Sequence, residues 1–138
     1  MQIRPDTTYC KVDASWDKAS NSAGFAWIFN GPHCRNRTRI TSPTIRNPLM
    51  EALAIRFSLR MAASLEIQHL RVCSDVRRSF ELSITELWFR DLRVVADINH
   101  LSSLFVSISF AFIPRSQNSE ADALAKHALS SFSFVRAL

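Results

Sequence analysis

The chain has 138 residues, of which 47% are hydrophobic, and this length and composition suit one domain with a substantial core. Seventeen Lys and Arg residues against 12 Asp and Glu residues give a net charge of +5. A polyanionic partner would explain this balance, although many soluble proteins are equally basic without one. The N-terminus MQIRPDTTYC lacks an apolar core of the length that a signal peptide needs, and no stretch approaches 18 uninterrupted apolar residues.

The three cysteines are an odd number without CxxC spacing, which argues against a disulfide framework and against a zinc site. We therefore expect a protein of a reducing intracellular compartment that does not contact membranes and is a monomer.

The first half of the chain predicts three strands and a helix. Residues 9–16 alternate as a strand does, with Asp13 on the face opposite Cys10 and Val12. The run FAWIF is a second strand, and the pair Asn30 and Gly31 favours a tight hairpin turn into a third strand at about 33–40. Asn47 followed by Pro48 predicts the start of a helix that runs to about residue 65.

The second half predicts a strand, helices and a further strand. HLRVCS is a short strand that ends on Asp75, and two helical stretches follow it. FVSISFAFI alternates as a fifth strand, which Pro114 ends, and the last helix begins near Asn118 or Ser119. The order of elements predicts one domain over 1–138, of the α/β class, with a mixed sheet covered by helices.

Four acidic residues fall at the junctions of this predicted fold. Asp13 lies in the first strand, Glu51 in the first turn of the core helix, Asp75 just past the fourth strand, and Asp122 in the first turn of the last helix. Carboxylate oxygens are the ligands that Mg²⁺ prefers. Two such ions can activate a water and stabilise the departing oxygen of an in-line displacement.

Each acid also has an ordinary explanation. Asp75 and Asp122 could cap helices, the latter in a capping box begun by Ser119, and Asp13 could be a solvated strand residue. Glu51 begins a mostly apolar helix stripe, where a carboxylate calls for a partner or a metal, although helix N-termini also favour acids.

Four segments that contain these acids resemble the ribonuclease H domain family. They are VDAS, MEALA, VCSDV and FIPRSQNSEADALAKHAL, and the likeness covers about 11–129. The last segment is the most specific, because Pro-Arg, then Asn, then Ala-Asp-x-Leu-Ala is the usual ending of the plant branch, whose members often derive from retroelement polymerases.

The resemblance implies a five-stranded mixed sheet with the first three strands antiparallel, and hydrolysis of the RNA strand of RNA–DNA hybrids. Two Mg²⁺ ions, or Mn²⁺ as a substitute, would be held by the four acids. Asp13 would bridge both ions, Glu51 and Asp75 would hold the ion near the leaving group, and Asp122 would complete the ion that carries the attacking water.

Six further residues are candidate contacts to nucleic acid. They are Ser15, Asn47, Arg77, Arg78, Arg115 and Asn118. The chain departs from the family where many members carry a loop histidine before the last helix, since PRSQNSE contains none, and Phe112 stands where the plant branch often has His. These departures favour, as an alternative, a weak or inactive nucleic-acid-binding module derived from a retroelement. A proofreading-type exonuclease and a remnant without nucleic-acid function are further alternatives.

Overall fold

The structure is a computed structural model that describes residues 4–17, 19, 22–32, 35–43, 50–75 and 92–137. The helix predicted just after Asp75 lies outside these residues, as does the predicted helix start at Asn47 and Pro48. None of the described helices is both long enough and apolar enough to cross a membrane.

The sheet is mixed, as the sequence predicts. The first strands are β1 (Thr8–Asp17), β2 (Ser22–Asn30) and β3 (Arg35–Pro43), and the later ones are β4 (His69–Ser74) and β5 (Ser107–Phe112). Their spatial order is β3-β2-β1-β4-β5, with antiparallel pairing from β1 to β3 and parallel pairing of β4 with β1 and β5. Strands β2 and β3 pair antiparallel as a hairpin would, but Asn30 is still the register partner of Arg35 and neither Asn30 nor Gly31 has a positive φ, so the tight turn predicted at these two residues is wrong.

The three longer helices cover the sheet. Helix α1 (Met50–Ser64) contacts β1 and β2, and α2 (Leu92–Ser102) packs on α1. Helix α3 (Ser119–Ala137) crosses β1, β2 and β3. Because side chains alternate along β1, Cys10 and Val12 join the core shared with α1, whereas Asp13 points to the other face.

The buried core lies between the sheet and α1. Its large side chains include Phe25, Phe29 and Leu59, all nearly inaccessible to solvent. Helix α2 is joined to α1 by small buried residues and by Asp97, whose carboxylate lies 3.3 Å from Arg56 and 3.5 Å from Arg60. The two described cysteines, Cys10 and Cys73, are buried and do not form a disulfide.

Gly24 on β2 allows α3 to approach the sheet closely. A Cβ atom there would overlap the backbone oxygen of Ala125 and lie 2.9 Å from the backbone nitrogen of Leu129. The facing side of α3 is made of the small buried residues Ala121, Ala125 and Ala128. This close contact sets how near α3 lies to β2.

Helix α1 ends in a backbone conformation that is unfavourable for the residue that adopts it. Glu66 has φ 60°, in the left-handed region, and the amides of Glu66 and Ile67 donate to Ala63 and Ala62 in a Schellman arrangement. Only glycine adopts this conformation without a steric cost.

Replacing Glu66 with Gly is therefore expected to raise the free energy of unfolding by about 1 kcal/mol. Urea denaturation of the two proteins would measure the difference. As a control, Ser64→Gly in the last turn of α1 should lower stability by about 0.5 kcal/mol, because its backbone is ordinary helix. Equal effects of both changes would contradict the explanation.

Candidate metal centre

Asp13 is a buried carboxylic acid in the middle of the sheet. Its exposure is 6%, and its register partner on β2 is Ala26. Helix α3 lies over this face of β1, so the interpretation of Asp13 as a solvated strand residue is wrong. A buried carboxyl group is costly unless it is hydrogen-bonded, paired with a charge or bound to a cation.

Asp122, one turn into α3, meets Asp13. Asp13 makes a side-chain hydrogen bond to the Asp122 carboxylate, and the Lys126 ammonium lies 3.0 Å from Asp122 Oδ2. Burial, the largest single influence, raises the pKa of Asp122, but the hydrogen bonds from Lys126 and Asp13 and the charges of Lys126 and Arg115 outweigh it and leave that pKa below its usual value.

Two carboxyl groups in contact cannot both be ionised without a compensating positive charge. Lys126 and Arg115 supply positive charge beside this pair. The two acids also offer adjacent carboxylate oxygens, which are ligands that a hard cation prefers.

Asp75 occupies the equivalent position on the neighbouring parallel strand. Lys11 and Cys73 are register partners, and Asp13 and Asp75 each come two residues later, so they share one face. The Asp75 Oδ2 atom is buried and has no hydrogen-bond partner among the described residues. A buried, unpartnered carboxylate oxygen is a position that a cation or a donor would satisfy.

Glu51 is the second residue of α1, in the first turn as the sequence predicts, but its side chain lies outside the described residues. Within the described part of the chain, no three His, Cys, Asp or Glu side chains converge closely enough to hold one metal ion. The structure thus brings Asp13 and Asp122 together and places Asp75 directly after the end of the adjacent strand. The complete four-acid centre stays a prediction.

Asn118, which we predicted to contact nucleic acid, is fully buried. Its side-chain amide donates to the backbone oxygen of Val12 at 2.9 Å, so its surroundings correct that prediction. The predicted capping box needs correction as well. Asn118 is the N-cap of α3, because its backbone oxygen accepts from the Asp122 amide at 3.0 Å, and Ser119 is already helical.

The other predicted nucleic-acid contacts differ in how they are placed. Ser15 is half-buried on the same face of β1 as Asp13, and Arg115 is exposed in a short 3₁₀ turn, Arg115–Gln117, that precedes α3. Asn47, Arg77 and Arg78 lie outside the described residues.

Lys126 is a site residue that the sequence reasoning missed. Its spacing of four residues from Asp122 is the spacing at which side chains meet on a helix, so the signal was present in the sequence. Its effect is to keep the Asp122 carboxyl ionised next to a second acid.

We expect Lys126→Ala to lower stability by about 0.3 to 0.5 kcal/mol near neutral pH, as exposed pairs on a helix do. Because folding lowers the pKa of Asp122 below its ordinary value of 3.8, the stabilisation is complete above that value and is lost as the pH falls through the lowered one. Urea unfolding of both proteins from pH 7 down to pH 2 would show their difference shrinking in acid. Lys126→Arg should behave as wild type, and a difference that does not change with pH would contradict this role.

Comparison with solved structures identifies the fold as ribonuclease H-like. RNase H1 from the halophilic archaeon Halobacterium salinarum NRC-1 superimposes with a TM-score of 0.78 at 21% identity, over 91% of this chain and 98% of that chain. The N-terminal RNase H domain of a Mycobacterium tuberculosis protein, solved as a fusion with maltose-binding protein, gives 0.76 at 18% identity, over 94% and 98% of the chains. LC11-RNase H1, solved in complex with an RNA/DNA hybrid, gives 0.72 at 17% identity, over 90% and 97%.

A family model described as reverse transcriptase-like matches residues 11–128. The chain therefore belongs to the reverse transcriptase-like family. No curated protein sequence matches it significantly.

Proposed function

We propose that the protein is a Mg²⁺-dependent endonuclease that hydrolyses the RNA strand of RNA–DNA hybrids. The observation that carries the proposal is the contact of the buried Asp13 with Asp122, with the unpartnered Asp75 Oδ2 just past the end of the neighbouring strand. The ribonuclease H-like fold and the hybrid bound to LC11-RNase H1 support this choice of substrate.

The side chains of Asp13, Asp75 and Asp122 have the ligand chemistry of a hard divalent cation, and a bound ion would have to draw them together, because they do not converge on one point in the structure. All three offer carboxylate oxygens, the ligands that Mg²⁺ prefers, and two of them are already in contact. Asp13, Asp75 and Asp122, with Glu51 as the proposed fourth ligand, would hold Mg²⁺ or Mn²⁺. When bound, such ions supply an activated water and stabilise the charge that develops on the phosphate oxygens.

The chain's own residues would prepare the site for this chemistry. Asp122, whose side chain is 27% exposed, is the acid of the pair that solvent can reach, whereas Asp13 is nearly inaccessible. Lys126 holds Asp122 in its ionised form. Arg115, exposed just before α3, can donate two hydrogen bonds to a phosphate, and the Ser15 hydroxyl lies on the same strand face as Asp13.

A second candidate function is hybrid binding without cleavage. It is favoured by the connection between β5 and α3, which has no histidine at residues 113–118, and it accords with our prediction of descent from the plant, retroelement-derived branch. In this case Arg115 and neighbouring donors would still bind phosphate, but turnover would not follow.

The test is cleavage of a hybrid labelled on its RNA strand, compared with duplex DNA and duplex RNA of the same sequence. We expect internal cuts only in the RNA of the hybrid, with Mg²⁺ present and not with a chelator in its place. A hybrid that binds yet stays intact would support the binding module. Equal cutting of duplex DNA, or cutting that needs a free 3′ end, would contradict a hybrid-specific endonuclease.

A further inference from the structure

The N-cap residue of α3 uses its side chain in an unusual way. An Asn at this position ordinarily accepts a hydrogen bond from an amide in the first turn of its own helix. In this protein Asn118 Oδ1 is buried without a hydrogen-bond partner among the described residues, and Nδ2 donates to the Val12 backbone oxygen, 106 residues away in the sequence. The side chain therefore joins two elements of the fold and does not cap its own helix.

This bond lies close to both acids of the pair. Val12 immediately precedes Asp13 on β1, and Asp122 follows Asn118 by one helical turn, bonded to it through the backbone at 3.0 Å. The second constraint on α3, its close contact with Gly24, acts farther along the helix at Ala125. Asn118 is thus the tie between β1 and α3 that lies nearest to the carboxyl pair.

We infer that Asn118 is a positioning residue, whose amide holds the start of α3 on β1 so that the Asp122 carboxyl lies against that of Asp13. Its complete burial excludes direct contact with a substrate. The cation-binding part of the inference rests on the proposed function, whereas the placement of the two acids does not. Partners that orient metal ligands in this way typically change metal affinity by about 10- to 100-fold.

Asn118→Ser is the variant that separates positioning from capping. Serine is an effective N-cap, but its side chain is too short to replace the amide that reaches Val12. We expect calorimetric titration with Mn²⁺ to show affinity reduced about 10- to 100-fold. We expect a crystal structure of the metal-free variant to show the Asp13 and Asp122 carboxyl groups separated. Ile98→Ala, a truncation on α2 away from these acids, controls for general destabilisation and should leave Mn²⁺ affinity unchanged.

A folded Asn118→Ser protein that keeps both the carboxyl contact and wild-type Mn²⁺ affinity would overturn the inference. If Asn118→Ser does not fold, Asn118→Thr, which fills more of the space and is equally unable to reach, is measured in its place. If neither folds, hydrogen exchange of the wild-type protein decides: the Asp122 amide should be protected as strongly as the amides of β1, and exchange at the rate of a frayed helix end would overturn the inference. Failure of the wild-type protein to bind Mn²⁺ would refute the proposed function, while the carboxyl separation in the variant would still test the placement.

Discussion

Asp13→Asn is expected to reduce cleavage of an RNA–DNA hybrid by at least about 1,000-fold. The amide is nearly the same shape as the carboxylic acid, but it carries no charge and cannot be ionised to hold a cation. Bound metal ions contribute several kcal/mol to stabilising such a reaction, and each 1.36 kcal/mol corresponds to a factor of ten in rate.

The free energy of unfolding of Asp13→Asn should not fall together with its activity. In the metal-free protein Asp13 already donates a hydrogen bond to Asp122, and an amide at the same position can donate a similar one. We therefore expect urea unfolding to show a stability equal to wild type or higher. Asp17→Asn, on the same strand, is the matched control and should keep its activity. Loss of activity in proportion to lost folded protein would contradict the assignment.

Gly24→Ala is expected to destabilise the protein strongly, because the added methyl group has no room. The new Cβ would overlap the backbone oxygen of Ala125 and press on Leu129, and backbone atoms cannot turn aside as a flexible side chain can. Overpacking of this kind costs about 1 to 3 kcal/mol, and α3 must shift away from β2. Because Asp122 lies on that helix, Mn²⁺ affinity should fall together with stability.

Gly31→Ala provides the matched control for this prediction. A Cβ at Gly31 would also be too close to its neighbour, but that neighbour is Thr8 at the start of β1, through its side chain and its Cα atom, and no atom of α3 is involved. Denaturation and Mn²⁺ titration of both variants should show stability lost in each and metal affinity lost only with Gly24→Ala. A loss of affinity in both would show that destabilisation alone explains the effect.

The face on which Asp13 lies could be predicted from sequence, because alternation along a strand is a local property. Its burial could not be, since it depends on α3, which packs over β1 from more than 100 residues later in the chain. Local signals predict that Asn118 lies near the start of a helix. They do not predict its bond to Val12, which is 106 residues away in the sequence.

Helix ends could be predicted from the sequence only where a local capping signal is present. The last helix begins within the predicted pair Asn118 and Ser119, where capping signals are local. The left-handed conformation of Glu66 had no such signal, because the sequence lacks the glycine that normally marks a Schellman end. The ion pair of Lys126 with Asp122 joins residues four apart on a helix, so it could have been predicted from the sequence.

The most direct test of the proposed metal centre is anomalous diffraction from crystals soaked in Mn²⁺. We predict a strong peak within coordination distance of Asp13 and Asp75, with Asp122 turned toward the same position and its hydrogen bond from Asp13 replaced. Crystals that show no Mn²⁺ at Asp13, at a concentration that supports cleavage in solution, would contradict the account.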